Sequence, residues 1–158
     1  MTTTAPVPSS TSARDAAAAG IDPRGPQLTA GITAVVLVAV LLLPSPWAAV
    51  LTGVQAVLFA IGATRGVQCT PHAWLFRSVV RPRLAPPEDL EDPAPPRFAQ
   101  VVGLGFALVA LVAFATGGTL LAQVAIGLAL VAALLNAVFR LCLGCELYLL
   151  FKRLTAAR

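Results

Sequence analysis

Four long apolar runs constrain this chain more than any other feature of its sequence. Each run holds about 16–21 residues, and a helix that rises 1.5 Å per residue needs about 20 to cross the hydrocarbon core of a bilayer. Every backbone amide in lipid must be paired within its own segment, so the runs are predicted to be helices. Only 11% of the residues are charged and 58% are hydrophobic, well outside the range of soluble domains. The chain is therefore predicted to be an all-α, polytopic membrane protein.

The links within each pair of runs are short, which predicts four transmembrane helices arranged as two hairpins. The predicted helices cover about residues 27–43, 47–64, 98–116 and 119–139. A loop and a C-terminal segment lie outside them, at 65–97 and 140–158, within a membrane domain expected at 21–154. The first 20 residues are Thr, Ser, Ala and Pro with little else, and such a composition cannot bury enough apolar surface to fold. We therefore expect a disordered tail at 1–20.

The charged residues predict the orientation of the chain in the membrane. None lies in the links inside the hairpins; all lie in the tail, in the loop at 65–97 with the residues just before the first helix, or from Arg140 onward. The positive-inside rule places these regions, and both termini, in the cytoplasm of a multi-pass plasma-membrane protein. The basic residues are expected to contact lipid headgroups, so the bilayer is the expected partner and nucleic acid is not. Small residues between Gly103 and Ala110 suit close helix packing or a homodimer.

The two hairpins resemble each other in sequence. Asp22-Pro23 precedes the first and Asp92-Pro93 precedes the second, and Leu75-Phe76-Arg77 resembles Leu150-Phe151-Lys152 after them. Two copies with the same orientation would be related by an axis along the membrane normal. Apolar segments also resemble one another by composition alone, so both an internal duplication and a chance likeness stay open here.

A pair of cysteines beyond the last predicted helix is the first candidate site. Cys142 and Cys145 are three residues apart, so on a helix both side chains project from nearly one face. If that helix continues the last crossing, its C-terminal dipole disfavours a thiolate. Arg140 and Lys152 would compensate and Glu146 would oppose. A static disulfide is not expected on the cytoplasmic side, where thiols are kept reduced, whereas a pair that cycles, carries a sulfane sulfur or binds a metal stays open.

A second interpretation adds Cys69 and His72, which follow the first hairpin as the cysteine pair follows the second. Three cysteines and one histidine, Cys69, His72, Cys142 and Cys145, would make a tetrahedral zinc site. The alternative for His72 is an interfacial residue of a short helix that Thr70 and Pro71 begin. Zinc is the one cofactor that the sequence raises, and no other is expected.

Several segments closely resemble one bacterial membrane family. The strongest match is Leu141-Cys142-Leu143-Gly144-Cys145-Glu146-Leu147-Tyr148, supported by Arg81-Pro82-Arg83-Leu84 and Pro95-Pro96-Arg97-Phe98-Ala99-Gln100. On these residues the chain resembles the domain of unknown function 4395 family, common in actinobacteria, over about residues 21–154. The resemblance implies a small integral membrane protein without an assigned activity, whose members can lie beside thioredoxin-like or sulfurtransferase proteins. Cys69 and His72 depart from the family pattern.

Three functions follow as hypotheses. The first is a cytoplasm-facing dithiol, Cys142 and Cys145, that handles electrons or sulfur with a soluble thioredoxin-like or sulfurtransferase partner. The second is a zinc-binding structural or sensory module, and the third is a scaffold or small-solute channel whose cysteines only pack. The sequence has no phosphate-binding glycine loop, no Ser/His/Asp set and no pair of buried carboxylates. Whether the chain is an enzyme is left undecided.

Overall fold

The computed structural model describes residues 20–87 and 89–156, and four long helices dominate them. These are α1 (Arg24–Leu42), α2 (Ser45–Arg65), α4 (Ala94–Ala115) and α5 (Thr119–Phe139). Two shorter helices, α3 (Pro71–Leu75) and α6 (Leu143–Ala156), follow the two hairpins. All four long helices are long and apolar enough to cross a membrane, which confirms the predicted all-α polytopic fold. The predicted tail at 1–20 lies outside the described residues except for Gly20.

Proline and glycine set the turns inside the hairpins. Leu43 is extended, with φ −84° and ψ 151°, because a residue before proline disfavours the helical region. Pro46 then falls in the first turn of α2, where its missing N–H costs no hydrogen bond. Between α4 and α5 the chain turns at Gly117, whose φ of 78° suits glycine.

Both hairpins begin with the same local structure, 70 residues apart. Asp22 Oδ1 accepts a hydrogen bond from the backbone N–H of Arg24 at 3.0 Å. Asp92 Oδ1 accepts one from the backbone N–H of Ala94 at 2.9 Å. Each carboxylate satisfies an N–H that the helix itself leaves unpaired. The helices consequently begin at Arg24 and Ala94, ahead of the starts at residues 27 and 98 that hydrophobicity alone indicated.

The first turns of α1 and α4 also bind the ends of the other hairpin in the same way. Gln27 Nε2 donates to the carbonyl of Ala137 near the end of α5, at 2.9 Å. At the equivalent position, Arg97 donates from Nε to the carbonyl of Ala63 at 2.6 Å and from Nη2 to that of Thr64 at 2.8 Å. These carbonyls belong to the last turns of their helices, which lack partners within the helix. Each hairpin thus donates side-chain hydrogen bonds to the C-terminal carbonyls of a helix in the other hairpin.

The helices pack with pseudo-two-fold symmetry. Helix α1 packs on α5 as α4 packs on α2, and α1 and α2 pack together as α4 and α5 do. Ile21 and Glu91, again 70 residues apart, exchange two backbone hydrogen bonds of 2.9 Å. Equivalent residues can pair only across a two-fold axis, so the axis passes between them. The repeated contacts favour duplication of one hairpin over a chance likeness in composition.

Small side chains line the contacts between helices. Ala110 of α4 and Ala122 of α5 are fully buried, and Gly103 lies so close to Phe59 that an added Cβ would meet its ring at 2.9 Å. Such residues allow membrane helices to approach closely. Part of the predicted small-residue stripe therefore packs within one chain, and the homodimer stays a prediction.

Candidate functional site

The cysteine pair follows a break in the helix at Arg140. Helix α5 ends at Phe139, and Arg140 has φ 59° and ψ 21°, a left-handed conformation rare outside glycine. The N–H of Arg140 donates to the carbonyl of Asn136 at 3.1 Å, and that of Leu141 to the carbonyl of Leu135 at 3.2 Å. These two bonds close the end of α5 and turn the chain.

The break places Cys142 and Cys145 at the start of α6, not at the end of α5. Cys142 immediately precedes the helix and Cys145 lies in its first turn. The expectation that a helix C-terminus opposes a thiolate held only if the last crossing continued past Arg140, and the break at Arg140 removes that condition. The positive end of the α6 dipole instead faces the sulfur atoms and favours a negative charge.

The two sulfur atoms form a disulfide in this structure. The Cα atoms of Cys142 and Cys145 are 5.2 Å apart, within the range that a disulfide bridges. The backbone N–H of Cys145 donates to Cys142 Sγ at 3.3 Å, and the N–H of Glu146 donates to the Cys142 carbonyl at 3.0 Å. Both cysteines are half-buried. The geometry of the pair thus accommodates a disulfide, and Cys142 Sγ has a backbone amide donor.

Helix α6 packs closely against the first turns of α4, with Gly144 next to the backbone of Ala99. A Cβ added to Gly144 would lie 2.6 Å from both Cα and Cβ of Ala99, so only glycine permits this approach. Beside it, the ring of Phe98 lies 5.9 Å from Tyr148 and 6.4 Å from Phe151, measured between centroids. Gly144 therefore allows α6, with the cysteine pair at its start, to pack directly against α4.

The predicted supporting residues lie at different distances from the pair. Arg140 is exposed at the break, and Glu146 is exposed in the first turn of α6. Lys152 is seven residues beyond Cys145, about 10 Å along a helix axis, where solvent and salt screen its charge. Arg140 and Glu146 are thus the charged side chains next to the sulfurs along the chain.

Cys69 and His72 lie in a different part of the fold. Thr70 accepts a hydrogen bond from the N–H of Ala73 at 3.3 Å and begins α3, as its sequence indicated. Cys69 is an exposed free thiol, and His72 is half-buried, which lowers its pKa because burial disfavours the charged imidazolium.

The structure does not bring the four proposed zinc ligands together. Among residues 20–87 and 89–156, no three His, Cys, Asp or Glu side chains lie close enough to hold a metal ion. Residues 67–69, which end at Cys69, pack on α2 and also contact α4, whereas α3 with His72 packs on α1. The Cys142–Cys145 pair lies at the start of α6, which packs on α4.

Comparison with known proteins identifies the family of this chain but gives no activity for it. The sequence model described as "Domain of unknown function (DUF4395)" matches residues 21–153. No curated protein and no solved structure matches the chain.

Proposed function

We propose that this chain, which belongs to the DUF4395 family, is an integral membrane protein whose Cys142–Cys145 pair exchanges electrons with a soluble thioredoxin-like protein. The observation that carries the proposal is the position of the pair: a disulfide at the N-terminus of α6, half-buried, with an amide donor directed at Cys142 Sγ. Helix N-termini favour reactive thiolates in disulfide oxidoreductases.

The hydrogen bond from Cys145 N–H to Cys142 Sγ supports different roles for the two sulfurs. In the reduced protein, the Cys142 thiolate attacks one sulfur of the partner's disulfide and expels the other as a thiolate. The Cys145 thiol loses its proton to solvent and attacks Cys142 Sγ, which releases the second partner sulfur as a thiolate. Protons from water convert the partner's two thiolates to thiols. The pair loses two electrons and the partner gains two, and the reverse sequence regenerates the dithiol.

The cytoplasmic side is part of the proposal. The charged end of the bundle, where α1 and α4 begin and α2 and α5 end, holds α6 and the segment from residue 65 to 93. Its arginines include Arg65, Arg77, Arg81 and Arg83, and the positive-inside rule assigns such an end to the cytoplasm. A soluble partner there would meet a reducing compartment, so the disulfide would turn over and not persist.

Trapping the mixed disulfide tests the proposal. In a Cys69→Ser background, which removes the exposed free thiol, the Cys145→Ser variant cannot resolve the intermediate. We expect it to form a covalent adduct with an oxidised thioredoxin-type protein through Cys142, detected by non-reducing gel and mass spectrometry. The matched Cys142→Ser variant should form at least several-fold less.

The double Cys142→Ser/Cys145→Ser variant is the negative control. Equal adduct formation by the double variant, or none by Cys145→Ser, would overturn the proposal. If the wild-type chain instead accepts the sulfane sulfur of a sulfurtransferase persulfide and forms no disulfide adduct, the cysteine pair transfers sulfur and not electrons.

A further inference from the structure

A groove on the outer face of α1 combines a long apolar wall with basic residues at one end. It is an open surface groove of about 440 Å³ between α1, the end of α5 and Phe76–Val80, a turn of helix that continues α3. Apolar side chains line most of it, chiefly Leu28, Ile32, Val35, Phe76 and Val80. Gly31 forms part of the floor, where an added Cβ would meet nothing within 4 Å.

The groove runs along a membrane-spanning helix. Val35, about three turns beyond Arg24 along α1, is 71% exposed and faces the hydrocarbon in a helix long and apolar enough to cross the bilayer. The other end begins at Arg24, the first residue of α1. The groove therefore extends from the membrane–water interface into the hydrocarbon region.

Three arginines gather around the charged end of the groove. Arg24 lines the groove and donates from Nη1 to the carbonyl of Ala85 at 3.0 Å. Ala85 also borders an adjoining cavity of about 350 Å³, which Arg77 and Arg81 line. Leu84 lines both cavities, so the two adjoin. Arg24, Arg77 and Arg81 thus all border the stretch at Leu84 and Ala85, next to the apolar groove.

We infer that this groove binds one anionic phospholipid, independently of the proposed function. The guanidinium groups of Arg77 and Arg81 would contact the lipid phosphate, and Arg24 would lie where the headgroup meets the acyl chains. Basic pockets at the membrane surface attract anionic headgroups in this way. One acyl chain would lie over Gly31 toward Val35. A free phosphate would use the arginines without the groove, and a soluble peptide could not enter the hydrocarbon, so the combination of features specifies a lipid.

The experiment compares lipid binding by native mass spectrometry of the full chain in detergent, with phosphatidylglycerol and phosphatidylcholine as the added lipids. We expect wild type to bind one phosphatidylglycerol at least tenfold more tightly than phosphatidylcholine. Arg77→Gln/Arg81→Gln should lose about tenfold in affinity for phosphatidylglycerol, since each basic residue near an anionic headgroup contributes measurably. Arg65→Gln/Arg153→Gln, which removes the same charge elsewhere, should stay within about twofold.

A second pair of variants tests the acyl-chain site without changing charge. Gly31→Leu should fill the groove and abolish the bound lipid, whereas Gly105→Leu, also at an open glycine of a spanning helix, should leave it. Equal binding by the two leucine variants, or equal affinity of wild type for both lipids, would overturn the inference. If inorganic phosphate displaces phosphatidylglycerol and Gly31→Leu leaves lipid binding unchanged, the site recognises an anion without an acyl-chain groove, which would also overturn the inference.

Discussion

The contact between Gly144 and Ala99 predicts a large effect from a single methyl group. A Cβ at position 144 would lie 2.6 Å from two atoms of Ala99, whereas carbon atoms in contact are normally about 3.5–4.0 Å apart. One of those atoms is a backbone Cα, so rotating a side chain cannot relieve the clash. Helix α6 would have to move away from α4 by about 1 Å, and overpacking of this kind costs about 1–3 kcal/mol.

Replacing glycine by alanine also stabilises a helix, by up to about 1 kcal/mol, so a matched control is needed. Gly127 of α5 has open space around it, and Gly127→Ala gains the same propensity without a clash. The free energies of unfolding of Gly144→Ala and Gly127→Ala should therefore differ by about the overpacking cost of 1–3 kcal/mol. Thermal unfolding in detergent, followed by circular dichroism, measures this difference.

The same variant should change the cysteine site. When α6 is displaced from α4, Cys142 and Cys145 become more exposed, so after reduction they should react faster with a maleimide in Gly144→Ala than in Gly127→Ala. Equal stability and equal labelling rates in the two variants would refute the argument that Gly144 seats the cysteine pair.

Three further predictions concern other parts of the bundle. Gln55 is 1% exposed, and its Oε1 has no hydrogen-bond partner among residues 20–87 and 89–156. Gln55→Met should therefore raise stability by about 1–2 kcal/mol, with Gln123→Met at an exposed position as control; a loss of stability would contradict this. Burial lowers the pKa of His72 below its unfolded value, so the unfolded state binds the proton first and the free energy of unfolding should fall as pH drops below about 6.5. In melting experiments over a range of pH, His72→Gln should weaken this dependence of stability on pH, and an unchanged dependence would contradict the prediction. Arg97→Met removes the donors to the Ala63 and Thr64 carbonyls and should cost about 1 kcal/mol, whereas Arg153→Met should not.

Much of the architecture could be predicted from the sequence because the lipid bilayer restricts which structures can cross it. Four apolar runs, two short links and a one-sided charge distribution leave few arrangements other than two helical hairpins. The repeated Asp-Pro before each hairpin indicated duplication, but the paired Ile21 and Glu91 carried no such signal. Their pairing uses backbone atoms alone, and no side-chain pattern encodes it.

The sequence singled out the candidate cysteines, and it did not predict their environment. Cys142 and Cys145 stood out by spacing, yet the helix break before them depends on Arg140, and arginine gives no sequence signal for a left-handed residue. The role of Gly144 depends on Ala99, 45 residues earlier in the chain, and long-range contacts of this kind are invisible to local periodicity. The zinc hypothesis assumed that equivalent positions meet, whereas two-fold symmetry can also separate them.

The central claim is that Cys142 and Cys145 form a reversible dithiol on the cytoplasmic side of the membrane. Sealed, inside-out vesicles containing the Cys69→Ser protein can be equilibrated over a range of dithiothreitol ratios and labelled with a membrane-impermeant maleimide. The account predicts that both thiols appear together, in one two-electron transition, and are labelled in inside-out but not in right-side-out vesicles. Thiols that stay reduced under oxidising ratios, or that label only in right-side-out vesicles, would contradict it.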